Sequence, residues 1–582
     1  MDIQWHSREE KAIRGAPENF NDLPAAEYPA LIRRLLFSRG LKDSALVAKW
    51  LAPKLADLKD PFSLLNMKIG VDRLVQAFQK QEKVCIYADF DLDGTSGLAL
   101  LQDGLRQLGF RHLILAQPKR LSEGYGFHSH IVEDLRSQGV SVIITVDVGI
   151  TAFEACEKAR ELGVDVILTD HHQPADSLPP AFVVINPNQK QDSSGLGYLS
   201  GAGVAFYFLR ALKRGLVEAG LIDKSLLDLK TVLDCFCIAT LTDMVPLIED
   251  NRVLVKQGLV QLEQTRRPGL RSLLEALDLS HRSLTSQDVA IRFAPKLNAL
   301  SRMEMGILPI DLYLIENPVE ARELVKTVLQ NNSTRVQLQG AGEDEAFEML
   351  RGWPHDRFVF LSSANFHKGV VGLIATKICL QKNVPTFVGA MNAEGVITGS
   401  ARLPQGRSDS LLEALESARP YLNRFGGHHA AAGFELKSEN VESVLKALQA
   451  HYETQEPARL KSFEFDLEAR LDEVGENLMR WFEVVGPFGQ GFESPILCFR
   501  RLRVEDVIVM KGKHLKLKLI DPETQRKIES VYFSPPPAVL ETLPNRGEQI
   551  DVLGELQWNY FSGRRTVQLL LKDFKLSKVE FL

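Results

Sequence analysis

Four apolar runs in the first half of the chain each end in an acidic residue, and this recurrence leaves few architectures open. They are VCIYADFDLDG, with Asp89, Asp91 and Asp93; VIITVDVG, with Asp147; VDVILTDHH, with Asp170, His171 and His172; and CIATLTDMVPL, with Asp243. All four read as strands, and Phe182 to Ile185 as a further one. Helix-patterned stretches such as 97–108 and 151–162 lie between them. Such alternation predicts an α/β fold with a parallel sheet covered by helices. Unbroken runs such as VIIT suit strands buried on both faces. In that sheet the carboxylates fall at the carboxyl ends of the strands, where open α/β sheets bind ligands.

The remaining sequence divides by pattern. At 582 residues the chain is expected to hold several domains: an N-terminal segment at 1–50, a catalytic domain at 51–300, a connecting helix region at 301–352, a second α/β domain at 353–452 and a C-terminal module at 453–582. The connecting helix is expected to be interrupted near Gly340 and Gly342. In the last module HLKLKLI alternates strictly, and ELQWNYFSGRRTVQLLL is hairpin-like. Both predict a small OB-like β-barrel. The six cysteines are scattered without paired spacing, so a disulfide framework or structural zinc site is not expected. No apolar run approaches a bilayer span, and the N-terminus has no secretory signal pattern. The expected location is the cytoplasm, with no membrane attachment. Net charge is -6, so any binding of nucleic acid must use local basic patches.

The acidic set has its own chemistry. Carboxylates gathered in one crevice raise one another's pKa, and divalent cations relieve the repulsion. Oxygen donors with an imidazole suit manganese, with magnesium an alternative. A pair of such ions activates water and clamps a phosphoryl group. Each acidic residue alone could be a turn former or helix cap. Asp-x-Asp-x-Asp-Gly alone resembles a calcium loop, but Leu100 stands where that loop needs Glu. Four such strand ends in one unit make the joint site the better reading. Gly195, Gly197, Gly201 and Gly203 are read as packing residues before an apolar helix. In the last module Lys516, Lys518, Arg564 and Arg565, with Trp558 and Tyr560, are candidates for contacting a single strand.

ADFDLDG, TVDVG, TDHH and TDMVPL resemble the four motifs of the DHH phosphoesterase superfamily, and GGHHAAAGF (426–434) resembles its DHHA1 domain. PKRLSEGYG (118–126), KLNALSRM (296–303) and FHKGVVGLIATKI (366–378) are similar, in this order, to the branch of that superfamily that degrades single-stranded DNA from 5′ to 3′ in repair, recombination and mismatch repair. The resemblance implies a metal shell of Asp89, Asp91, Asp93, Asp147, His171 and Asp243 around two divalent cations. It implies catalytic roles for His172, Asp170 and Arg302. A 5′-phosphate and substrate site would comprise Arg120, Ser400, Arg402, Gly426, Gly427 and His428. By the same resemblance the expected partners are single-stranded DNA, a single-strand-binding protein and a helicase, and the chain is expected to be a monomer. Leu92, Leu300 and Ser301 depart from the family's small residues, and Tyr87 stands where smaller-substrate relatives carry a histidine. Two alternatives remain: a phosphodiesterase of this superfamily acting on short oligonucleotides or cyclic dinucleotides, and a non-catalytic DNA-binding scaffold of the same fold.

Overall fold

The computed structural model describes residues 3–15, 28–120, 123–303, 306–407, 409–455, 462–561 and 564–577. Two compact units make up the chain, one formed by Met1–Leu58 with Leu460–Leu582 and the other by Lys59–Arg459. The chain opens on β1 (Gln4–Ser7) in the first unit.

The second unit begins with the predicted parallel sheet. Its strands are β2 (Val84–Ala88), β3 (Leu113–Ala116), β4 (Val142–Val146), β5 (Asp165–Thr169) and β6 (Val183–Ile185), in the order β3-β2-β4-β5-β6. Every residue of β2 and β4 is buried, as unbroken apolar runs require. The strand order reverses direction between β2 and β4. That switch point opens a crevice at the carboxyl ends, and Asp89 and Asp147 flank it.

The run ending in Asp243 is the exception. Leu233–Thr242 is an α-helix, and its residues from Leu233 to Leu241 are buried. A helix that is apolar all round lies inside a protein, and periodicity alone does not separate it from a buried strand. Asp243 is therefore delivered from a helix C-terminus and not from the sheet.

Pro318–Arg351 forms one uninterrupted helix of 34 residues, begun by an Asn317 cap that accepts from the Val319 amide. The expected break near Gly340 and Gly342 is absent. A Cβ at Gly342 would lie 2.5 Å from Ile374 Cδ1, so that glycine serves close packing against the helix Val371–Lys382.

That second helix covers a mixed sheet of β7 (Val359–Ser363), β8 (Thr386–Met391), β9 (Val396–Arg402), β10 (Arg424–Gly427) and β11 (Ala431–Lys437), ordered β10-β11-β9-β8-β7. The register pairs Arg402 with Ala431 and Ser400 with Gly433. The TGSAR strand and the GGHH hairpin are thereby neighbours.

In the first unit β12 (Ser462–Phe465) lies parallel to β1. Then follow β13 (Leu467–Glu468), β14 (Ile496–Met510), β15 (His514–Ile520), β16 (Lys527–Phe533), β17 (Gln549–Phe561) and β18 (Arg564–Leu576). The order β13-β14-β15-β16-β18-β17 closes because β14 also pairs with β17. Leu515, Leu517 and Leu519 face the interior, as the alternation predicts. Helices Ala30–Ser38 and Ser44–Leu51 join this core through Leu31, Ile32, Leu35, Val47 and Leu51. Arg39 forms a bidentate pair with Asp466 at 2.9 Å, both side chains being almost fully enclosed. Removing one partner of a buried pair costs about 3–5 kcal/mol. Arg39→Ala should lower stability by that amount in urea unfolding followed by Trp fluorescence. A loss under about 1 kcal/mol, the ceiling for an exposed pair, would refute the assignment.

Candidate active site

The first motif makes a tight strand-to-helix turn. Asp91 caps the helix Leu92–Leu108, its Oδ1 accepting from the amides of Asp93 at 2.9 Å and Gly94 at 3.0 Å. Gly94 is required, since a Cβ there would sit 2.4 Å from the Asp89 carbonyl oxygen. Gln117 Nε2 donates to that same carbonyl at 2.6 Å and to Thr95 at 3.0 Å. Asp93 accepts from the amides of Gly201 at 2.6 Å and Ala202 at 2.9 Å. These amides open the helix Gly201–Glu218 and favour a negative group there.

Among the described residues, four polar atoms of this edge have no hydrogen-bond partner. Asp89 Oδ1, Asp147 Oδ1, Asp243 Oδ2 and His171 Nε2 are all buried and unsatisfied. His171 Nε2 lies 3.1 Å from Asp147 Oδ1, 3.6 Å from Asp243 Oδ2 and 3.8 Å from Asp93 Oδ2. Buried polar groups are otherwise almost always paired. Three groupings have ligand atoms within 4.8 Å of one another: Asp89, Asp91 and Asp147; Asp93, His171 and Asp243; and Asp147, His171 and His172. The first and the last share Asp147, and the last two share His171, so neighbouring cations could be held side by side. Carboxylates with one or two imidazoles fit manganese or magnesium.

The electrostatics agree with that use. Burial and then Asp91 push Asp89 well above the carboxylate range. Burial, Asp93, Asp91, Asp243 and Asp89 do the same to Asp147. Asp243 is pushed up to about 9 by burial, Asp93 and Asp91. Burial lowers His171, leaving its imidazole neutral as a ligand must be.

Asp170 is different. Its Oδ1 accepts from the amides of His171 at 2.7 Å and His172 at 3.1 Å and lies 2.7 Å from His172 Nδ1, while its Oδ2 accepts from Ile150. It orients His172. Burial, the largest influence, would lower His172, but the Asp170 hydrogen bond together with the charges of Asp170, Asp243 and Asp93 outweighs it and raises the imidazole to about 9. His172 stacks on His428, with ring centroids 5.6 Å apart and planes 7° from parallel. The GGHH hairpin thus reaches the metal-binding edge. Gly427 has φ 140°, and Gly426 pairs with Gly433 on β11.

A second cluster is cationic. Arg402 Nη1 donates to Ser400 Oγ at 2.7 Å and to the Ala401 carbonyl at 2.8 Å. Arg302 Nη1 donates to the Gly369 carbonyl at 3.3 Å. Arg120 lies over the Phe90 ring at 4.9 Å. Burial, Arg120 and Arg402 lower Arg302 to about 9, and burial and Arg120 lower Arg402. Guanidinium groups crowded in this way call for an anion.

The C-terminal candidates are engaged locally. Lys516 pairs with Glu529 at 2.9 Å, and Lys518 stands opposite Glu529 in the register. Arg565 lies 4.4 Å over the Trp558 ring, and Trp558 Nε1 donates to Glu483 at 2.9 Å. Tyr560 is exposed. The Arg564 side chain lies outside the described residues.

Sequence reasoning missed the amide-bearing side chains. Asn186 and Asn188, in the INPN that ends β6, donate to the carbonyls of His172 and His171 at 2.9 and 2.5 Å. Their signal was a polar pair directly after a strand.

The chain matches three family models: DHH family, N-terminal domain, over residues 83–240; DHHA1 domain over 355–454; and RecJ OB domain over 465–573. The single-stranded-DNA-specific exonuclease RecJ of Bacillus subtilis (strain 168) is 31% identical over 552 residues, covering 94% of this chain and 68% of the relative. That of Escherichia coli (strain K12) is 30% identical, covering 95% and 96%. Among solved structures, RecJ from Thermus thermophilus in complex with Mn2+ shares the fold with a TM-score of 0.78 at 24% identity, covering 99% of this chain and 80% of that one. A manganese-bound exonuclease RecJ has a TM-score of 0.59 at 31% identity, covering 68% of this chain and 96% of that one.

A carboxyl group whose folded-state pKa is raised contributes stability that is complete at low pH and lost as pH rises through the folded value. Metal-free protein should therefore lose melting temperature as pH moves from the ordinary 3.8 toward about 9. Asp243→Asn should flatten this loss. Mn2+ should raise the melting temperature of the unmodified protein most at the upper end, since ligation requires ionised carboxylates. Identical pH profiles for Asp243→Asn and the unmodified chain in chelator, followed by scanning calorimetry, would contradict the crowding account.

Proposed function

Because this chain belongs to the RecJ family of single-stranded-DNA-specific exonucleases, we propose that it hydrolyses single-stranded DNA from the 5′ end inward. The observation that carries this reading is the presence, in one compact unit, of overlapping donor groups joined through Asp147 and His171 and a separate arginine cluster. The first suits a pair of cations and the second a terminal phosphate. A relative of 31% identity was solved with manganese bound, which supports manganese as the preferred ion, with magnesium as the alternative.

Asp89, Asp91, Asp93, Asp147, His171 and Asp243 would hold a pair of divalent cations, which would supply an activated water near neutral pH and offset charge on the scissile phosphate. His172, its Nδ1 held by Asp170 at 2.7 Å, is placed to hydrogen-bond a phosphate oxygen or deliver a proton to the departing one. Arg302 clamps the strand beside it. Arg120, Ser400 and Arg402 grip the 5′-phosphate, which sets polarity and register through a charge-assisted, geometrically specific contact. His428, stacked on His172, steadies that imidazole from the second domain. One chain supplies every group of this centre, which supports activity as a monomer. In the same proposal the enzyme works in the cytoplasm, where a helicase and a single-strand-binding protein would supply its strand.

Digestion of 3′-labelled single-stranded and duplex DNA tests the reading. The single strand should shorten from its 5′ end and the duplex should persist; Asp91→Ala should remove the activity without unfolding the chain. A hydrogen bond to a charged group contributes about 1.5–3 kcal/mol. Arg402→Ala should accordingly lower kcat/KM on 5′-phosphorylated strands about 10- to 100-fold and leave 5′-hydroxyl strands nearly unchanged. Equal losses on both substrates would remove Arg402 from the phosphate pocket.

A further inference from the structure

The turn that carries Arg120 also brings an aromatic hydroxyl to the metal-binding edge. The Lys119 carbonyl accepts from the amides of Glu123 at 2.9 Å and Gly124 at 3.0 Å, and the Lys119 amide donates to Glu123 Oε2 at 2.6 Å. Tyr125 follows directly. Its ring meets that of His172 edge-on, with centroids 5.6 Å apart and planes at 65°. Its hydroxyl lies 3.4 Å from His172 Nδ1, a nitrogen already engaged by Asp170 at 2.7 Å. A long contact to an occupied atom satisfies a hydroxyl poorly. Among the described residues the Tyr125 hydroxyl has no other partner. Tyr125 is 46% exposed, so a strand can reach it.

The side chain is open to solvent, but its backbone is held from within. Tyr87 is fully buried and donates its hydroxyl to the Gly126 carbonyl at 2.8 Å. The Tyr87 ring packs on Phe127, with centroids 4.9 Å apart. Gly124 and Gly126 take φ of 78° and 140°, values that residues with a side chain rarely adopt. An anchored loop gives up less freedom when its exposed side chain meets a ligand. A phenol in this place offers a donor without a charge. Such a donor, fixed in advance, stabilises negative charge gathering on a phosphate and does not compete with cations for the carboxylates.

We propose that Tyr125 is a further catalytic residue of this centre, its hydroxyl donating to a non-bridging oxygen of the scissile phosphate beside His172, and that Tyr87 positions it through Gly126. The inference rests on the exonuclease reading above.

The test uses the full chain, Mn2+ and a 5′-phosphorylated, 3′-labelled single strand, and follows the first cut. Tyr125→Phe keeps the ring and removes the hydroxyl. The rate at saturating enzyme should fall about tenfold, while the enzyme concentration giving half that rate should change by less than about twofold. Sulfur accepts hydrogen bonds poorly. With one non-bridging sulfur at the first internucleotide phosphate, each diastereomer taken separately, the deficit of Tyr125→Phe should shrink to less than about threefold on one of them. Tyr87→Phe should slow the cut by a smaller factor, and adding it to Tyr125→Phe should slow it no further. An unimpaired Tyr125→Phe would overturn the assignment, even beside a slow Tyr125→Ala, since the ring alone would then matter. A deficit of one size on the oxygen strand and both sulfur strands would also overturn it, because a merely structural hydroxyl is blind to that atom. Losses that multiply in the double variant would remove Tyr87 from the proposal. An unmodified chain that leaves the single strand intact would overturn the exonuclease reading and this inference with it.

Discussion

Crowded negative charge at the carboxyl edge of the parallel sheet is the constraint on which the rest of the second unit depends. Asp89, Asp93 and Asp147 are each no more than 3% exposed, in a setting where ionised carboxylates are costly. The fold manages this with fixed dipoles. The amides of Gly201 and Ala202 serve Asp93, and those of Asp93 and Gly94 serve Asp91. Oxygens of Asp89, Asp147 and Asp243 nevertheless remain without a donor among the described residues. A scaffold that satisfies some oxygens of a cluster and leaves others bare and mutually facing is organised around a cation. Stability is given up locally where function needs the charge, a trade common at active sites.

Much of this is legible in the amino-acid sequence alone. The unbroken runs of β2, β4 and β5 and the acids directly after them identify the sheet, its ligand edge and most of the donors, because a strand's end is a sharp sequence event. Asp243 stands out as a donor too, but for the wrong structural reason. Leu233–Leu241 is buried on every side, and full burial erases the period that distinguishes helix from strand. The long helix is legible in extent, whereas its glycines suggest a break that does not occur. Gly342 is fixed by its contact with Ile374, a tertiary fact that local propensity does not carry. The pairing of β1 with β12 is invisible for the same reason, since Gln4 and Ser462 meet across nearly the whole sequence. Asn186, Asn188 and Gln117 escape because side-chain amides bonding to backbone carbonyls leave no spacing signature.

The DHHA1 sheet makes sense as the counterpart of this edge. Antiparallel register sets Ser400 and Arg402 of β9 beside the hairpin that carries His428. The same sheet therefore delivers Ser400, Arg402 and the ring that stacks on His172. The chain Asp170–His172–His428 runs from the parallel sheet to the mixed one. Asp170 fixes the orientation of the first imidazole and His428 limits its swing. A group that must meet a phosphate at a defined angle gains more from being held on both sides than from greater basicity.

The two charge clusters of this unit have opposite sign, and Arg120 acts electrostatically on Asp89. Asp91 lies close enough to act on Arg302, but the guanidinium donates to the Gly369 carbonyl instead. Arg402 is turned by Ser400 and its own Ala401 carbonyl. Neutral oxygen acceptors thus hold the arginines in place at little electrostatic cost, while the carboxylates are held by backbone amides. An ion pair between Arg302 or Arg402 and a carboxylate of the metal-binding edge would consume a group that the proposed mechanism uses. Held by neutral acceptors instead, these two arginines need little reorganisation to meet an anion.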